Sequence, residues 1–322
     1  MSQQKPENAK DKNWQANEEA AAMGKDAINS RKTPTKASVE KSTACNTEPA
    51  NSINREPVKA STTQPDAHGE TTLKNKRRWP KHVAVGFVAL IAVFAIGFGA
   101  YVNNYYHAAG TVAQEAESWQ AANQASQFTT TETDSYIAVG ESASEYGIVL
   151  YPGAKVEAAA YVPLACELAN QGIYCVIAKM PFNLAFFGAG AAEEIVNASP
   201  EVKHWWIGGH SLGGVVASME AAESPSKYEG VALLAAYTTS NLADTSLKGL
   251  VIYGSNDKVR NVENFQKNTG NLPNNTQIIT IEGGNHGNFG DYGAQEGDGE
   301  ATITGQEQQR QTAEAIAIAM RQ

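Results

Sequence analysis

The sequence predicts an α/β fold: a mostly parallel sheet with helices on both faces, preceded by a disordered tail and one transmembrane helix. Three observations predict it. From residue 135 onward, six or seven short apolar runs alternate with helix-patterned segments, the order that builds parallel sheets. One run, IYCVIA at 173–178, is apolar throughout, as in a strand covered on both faces. Finally, residues 83–102 carry no charge, whereas residues 1–82 contain no Phe or Tyr.

The N-terminal segment, 1–82, holds 15 of the 25 Lys and Arg and 10 of the 34 acids. It is rich in Lys, Asn, Thr, Glu, Ala, Gln and Pro. Such a segment buries too little apolar surface to offset its ordering entropy and is expected to be disordered. The next 20 residues, ending AVGFVALIAVFAIGFGAYV, match the roughly 20 that a helix needs to cross a ~30 Å membrane core. A cleaved signal peptide is the competing reading, but an 82-residue leader argues against it. KNKRRWPKH at 74–82 places five Lys and Arg before the run, and 103–117 has none. This asymmetry puts the N-terminus in the cytoplasm and the rest outside the cell. Lipid headgroups, not nucleic acid, are the economical partner of that basic cluster.

Residues 103–132 read as a polar stalk or leading helix, and the catalytic domain is expected at 133–322. Strands are expected at 136–139, 147–151, 173–178, 205–207, 231–237, 250–253 and 276–281. Helices are expected from about Tyr161 to Asn170, at 193–198, 213–222 and 262–267, and over 306–320. Beyond the apolar run there are 24 acids against 10 bases, which argues against nucleic acid or another anionic polymer as the natural ligand. Cys166 and Cys175 could bridge or remain two buried thiols. No Cys/His spacing resembles a zinc site, and the acidic run after Gly290 does not match an EF-hand loop. No metal or cofactor is expected.

The chemistry centres on GHSLG at 209–213, a G-x-S-x-G pattern between a strand and a helix. Glycines let a serine take a strained turn, and the helix start supplies free N–H groups. Ser211 is thus the expected nucleophile, against the alternative of a simple helix cap. An alcohol needs a base. His286, in GGNHGNFGDYG after a strand, is best placed among the histidines. Asp257, in LVIYGSNDKV, is the expected orienting acid, with Asp291 as the rival. The order Ser211, Asp257, His286 is that of nucleophile, acid and base on this architecture. Leu212 N–H should be one oxyanion donor. The second should come from YPGAK at 151–155, where Pro152 has no N–H. Gly153 and Ala154 remain, and Ala154 is favoured because Gly153 makes the turn. Phe182, Leu184, Phe186 and Phe187 either line an acyl pocket or pack as ordinary core.

The motifs YPGAKV, KMPFN, GGHSLGG and HGNFGDYG resemble those of the alpha/beta-hydrolase superfamily. They are most similar to its bacterial membrane-anchored, dienelactone hydrolase-like members. The resemblance covers roughly residues 135–320 and implies a Ser–Asp–His site. It says little about substrate. Where many relatives carry His–Gly in the oxyanion loop, this chain has Pro152–Gly153. The expected function is hydrolysis of carboxylic esters, small or lipid-like, through an acyl-enzyme. Acyl transfer to a cell-envelope polymer and a catalytically silent binding role are the alternatives. Protease added to intact cells is expected to remove the region after residue 102 and spare the tail. Protection of that region until the membrane is permeabilised would reverse the orientation.

Overall fold

The computed structural model describes residues 81–123 and 128–322, with the side chains of 81–89 excepted. The expected tail up to residue 80, with most of its basic cluster, lies outside the described residues. Two compact units divide the chain, and their boundary falls between Ile96 and Gly97. It cuts through α1, Lys81–Asn103, which coincides with the uncharged run. Side chains of α1 are described from Leu90 onward, and among the described residues no helix is long and apolar enough to cross a membrane.

The unit that follows is built on an eight-stranded sheet. Its strands are β1 (Thr130–Glu132), β2 (Tyr136–Val139), β3 (Tyr146–Tyr151), β4 (Ile173–Ala178), β5 (His204–His210), β6 (Gly230–Leu234), β7 (Lys248–Gly254) and β8 (Gln277–Ile281). Their spatial order is β1-β2-β4-β3-β5-β6-β7-β8. Pairing is antiparallel at β1–β2 and β2–β4 and parallel from β4 through β8. The helices are α2 (Val112–Asn123), α3 (Val162–Asn170), α4 (Ala191–Ala198), α5 (Leu212–Glu223), α6 (Val262–Asn268) and α7 (Gly305–Arg321).

Strand alternation divides the apolar side chains between two cores. Ile148, Leu150 and Trp206 pack on one face with residues of α2, α3 and α7. Val149, Tyr151, Trp205 and Ile207 pack on the other with residues of α4 and α5. This explains the consecutive tryptophans: neighbours on a strand point to opposite faces. A fully buried large side chain stabilises by about 1.5–3 kcal/mol, so the Trp pair joins both layers to the strand before Ser211. Pro163 sits in the first turn of α3, where its missing N–H costs nothing.

Several elements differ from expectation. Of the two forms expected for 103–132, a polar stalk or a leading helix, the described residues hold a helix, α2, and it is packed into the domain. Val112, Ala116 and Trp119 of α2 are buried in the first core, and Trp119 Nε1 donates to Glu167 at 2.7 Å. The sheet then begins at Thr130, ahead of the boundary expected at 133. β6 ends at Leu234, short of the expected Tyr237, because Ala235 turns to a φ of 48°. Cys166 and Cys175 are free, buried thiols. Burial pushes both up, Cys166 to about 12, so neither is a ready nucleophile.

Candidate active site

At the carboxyl end of β5 the chain reverses into α5 through a single residue. Ser211 holds φ 50° and ψ −121°, a conformation that costs a non-glycine residue about 1–3 kcal/mol. The surroundings fix it. Its N–H donates to Leu234 O of the neighbouring strand at 2.9 Å. Its own carbonyl accepts from Gly214 and Val215 at 3.0 and 3.3 Å, which starts the helix. Gly209 and Gly213 serve close approach rather than freedom. A methyl on Gly209 would lie 2.5 Å from Gly213 C, and one on Gly213 would lie 2.2 Å from Tyr151 O. Neither gap admits a side chain. Ser211 itself is partly exposed.

The two partners expected for the serine come from the loops after β7 and β8. His286 Nδ1 lies 3.0 Å from Asp257 Oδ2, with both side chains at 0–1% exposure. The other oxygen, Asp257 Oδ1, accepts the N–H groups of Val259 and Arg260 at 2.9 and 2.8 Å. Burial alone would raise this carboxyl. The adjacent imidazole and the hydrogen bonds outweigh burial, and its pKa is lowered. Asp291 is exposed, and the Nδ1 partner of His286 is Asp257. Its backbone is held by Ala160 O at 2.6 Å. Among the described residues His286 Nε2 is buried and has no hydrogen-bond partner, Ser211 Oγ included.

The loop after β3 faces the same strand ends. Gly153 N–H is already used: it donates to Tyr161 Oη at 2.9 Å. That hydroxyl also bonds His210 Nδ1 at 2.8 Å. Among the described residues no acceptor takes the N–H of Ala154. Leu212, first in α5, has no intrahelical acceptor for its N–H. Lys155 then takes a φ of 60° and donates its N–H to Asn183 O at 2.7 Å.

The four apolar residues expected around an acyl group are split. Leu184 is buried. Phe186 is partly buried against Val215, Met219 and Tyr237, beside α5. Phe182 and Phe187 are exposed. Among the described residues no cluster of three His, Cys, Asp or Glu side chains is arranged to hold a metal ion.

Sequence reasoning missed four groups. Tyr161, His210 and Tyr292 form the buried wall behind the loops, with the His210 and His286 rings 4.7 Å apart. Tyr106 is the fourth. Its N–H donates to Lys155 O at 2.7 Å, its carbonyl accepts from Glu157 at 3.0 Å, and its ring packs on Tyr292. Tyrosines spread over nearly 190 positions carry no shared pattern that a linear reading could join.

His210 gives a pH dependence. Burial, then the neighbouring His286, hold it well below its ordinary value, with Asp257 opposing. The unfolded chain therefore takes up a proton near pH 6.5 that the folded chain refuses. Stability present above that pH is lost as pH falls, by up to about 1.4 kcal/mol per pH unit. Urea unfolding at pH 7 and 5.5 should show this loss, and His210→Gln should flatten it by about one proton. An unchanged slope in the variant would contradict the assignment.

A family model described as the alpha/beta hydrolase family matches residues 147–310. No curated protein matches the chain. Among solved structures, the chain is similar to one described as a predicted CIB-like hydrolase from Thermoplasma acidophilum. Identity is 15% over 60% of this chain and 99% of that one, with a TM-score of 0.45. It is also similar to Est1E from Butyrivibrio proteoclasticus, at 13% identity over 61% of this chain and 100% of that one, with a TM-score of 0.44. With its eight-stranded sheet and a family match over half its length, the chain belongs to the alpha/beta hydrolase family.

Proposed function

We propose that this hydrolase cleaves carboxylic esters by a serine acyl-enzyme mechanism, held at a membrane by residues 83–102 with the catalytic unit outside the cell. The observation that carries the chemistry is the buried His286, fixed at Nδ1 by Asp257 and unpartnered at Nε2. An unmet buried nitrogen costs about 1–3 kcal/mol. Reserving that nitrogen for the reacting proton accounts for the expense, and the strained Ser211 supplies the nucleophile.

The steps then balance. Ser211 Oγ attacks the ester carbonyl while His286 Nε2 takes its proton. Asp257 keeps the imidazole's other proton on Nδ1 and stabilises the imidazolium. The oxyanion accepts the N–H groups of Leu212 and Ala154. Collapse breaks the C–O bond, and the alcohol leaves with the proton from His286. Water attacks the acyl-enzyme with His286 again as base, releasing the acid and restoring Ser211. Phe186, beside α5, is the residue best supported as a wall for the acyl chain. No cofactor takes part.

A fluorophosphonate probe is expected to label the chain at Ser211 and to fail on Ser211→Ala. Against a panel of neutral aryl esters and peptide amides, esters should be turned over and peptides should not. Efficient peptide cleavage with every ester poor would sink the ester reading even with Ser211 labelled.

Asp257→Asn should lower kcat by ~10⁴-fold, through the wrong imidazole tautomer, if the serine-protease case transfers. Asp291→Asn should stay near wild type. The reverse ranking in two folded variants would reassign the acid.

A further inference from the structure

We infer that Phe98, Phe182 and Phe187 form a lipid-facing patch beside the site, and that its esters are bilayer-resident amphiphiles entering from the interface. The inference rests on the ester-hydrolase reading above and deepens it.

Phe182 and Phe187 are 52% and 53% exposed. Their rings meet edge to face with centroids 5.4 Å apart, and each meets Phe98, at 5.5 and 6.3 Å. Aromatic side chains gathered on a surface are costly in water and mark a contact face. Among the described residues of this unit, Val262, Ile278 and Ile318 are also exposed, but they lie on three separate elements.

Backbone strain holds the patch outward. Phe182 and Asn183 take φ of 57° and 53° in succession. Left-handed backbone is rare for a bulky residue such as Phe182. Two hydrogen bonds pin the turn: Asn183 N–H to Met180 O at 2.9 Å, and Lys155 N–H to Asn183 O at 2.7 Å. The second bond joins the patch directly to the loop that carries Ala154. A strained turn that exposes an aromatic ring next to a reaction centre points to function in an apolar phase.

The occupant is read from the helix that carries Phe98. Phe98 belongs to a run of 20 uncharged residues, 83–102. Lipid is the medium that such a run fits. At its far end Lys155 Nζ stands 4.7 Å over the Tyr101 ring. An aromatic and a cation at one level are the usual furniture of a bilayer's polar edge. That level adjoins the Ala154 loop, because Lys155 follows Ala154 in sequence. Hydrolysis there would split a lipid-like ester into an acid and an alcohol, with water as the only co-reactant.

The test uses the full chain with Cys45→Ser in phosphatidylcholine proteoliposomes. A nitroxide is placed at Phe187→Cys and, as a control, at Glu201→Cys, which is exposed before β5. Cys166 and Cys175 are buried and stay unlabelled. Collision with oxygen should exceed collision with a water-soluble nickel chelate at 187, and the reverse should hold at 201. Nickel-dominated collision at both sites overturns lipid contact. Dipolar broadening between labels at 187 also overturns it, since the patch would then join two copies. For the substrate class, turnover of a vesicle-borne long-chain ester is compared with that of a soluble short-chain aryl ester. Phe187→Asp should lower that ratio about tenfold, the scale of one lost apolar side chain. An unchanged ratio overturns the substrate class. Failure of fluorophosphonate labelling in the same vesicles would break the hydrolase reading instead, and the collision ratio would still decide lipid contact.

Discussion

The site depends on one backbone contact. α5 approaches the end of β3 so closely that a methyl on Gly213 would lie 2.2 Å from Tyr151 O and 2.3 Å from Pro152 O. No side chain separates them. Ser211 and Leu212 begin α5, and Gly153 and Ala154 follow Tyr151 and Pro152. Two amides from distant parts of the chain are thus tied to one serine by main chain against main chain. Side chains hop between rotamers, whereas closely packed backbone has little room to move. In the proposed mechanism a donor pair set this way would be preorganised without an added tether.

Buried polar groups then lock the layers around that contact. Glu220 on α5 accepts from the Tyr151 and Tyr228 hydroxyls and from the N–H groups of Gly190 and Glu193. One carboxylate therefore joins β3, the segment before β6 and the start of α4 to the helix behind Ser211. On the opposite core, Tyr161 joins Gly153 to His210. Partnered groups of this kind are worth little net energy singly. Removing one partner strands the others in a dry interior, at about 1–3 kcal/mol each. Among the described residues His286 Nε2 is one of a few buried polar atoms left without a partner, with His210 Nε2 on the neighbouring ring another.

Much of this was legible in sequence because it is local. Apolar runs set the strands, and GHSLG marked a strand–turn–helix with glycines where no Cβ fits. Asp257 and His286 were readable since each sits just past a strand, where a parallel sheet gathers its loops at one edge. What stayed hidden is non-local. Trp119 sits in a segment of low mean apolarity, so nothing flagged α2 as part of the core. Three-residue β1, with TTE as its sequence, has no apolar alternation to read, because only its pairing with β2 makes it a strand. Phe182, Leu184, Phe186 and Phe187 were seen as a group, but spacing could not divide them. The strained turn at Phe182 and Asn183 sends two rings outward and leaves Leu184 and Phe186 on the inner side.

The same non-local logic makes residues 105–109 more than a connection. Tyr106 lies in a parallel bridge with Val156, beside the loop that offers the Ala154 amide. Three residues on, Ala109 N–H donates to Asp291 O at 3.1 Å, in the loop that carries His286. Asp291 N–H in turn donates to Ala160 O at 2.6 Å, closing a ring through the turn after β3. Each bond is worth only about 0.5–1.5 kcal/mol. Their effect comes from placement, since the segment crosses between the two loops that a carbonyl would have to bridge. A change at Tyr106 would loosen the oxyanion side and, through the Tyr292 ring, the histidine side together. The chain that leaves α1 is therefore part of the frame of the site, which is why the domain cannot be understood as starting at its first strand.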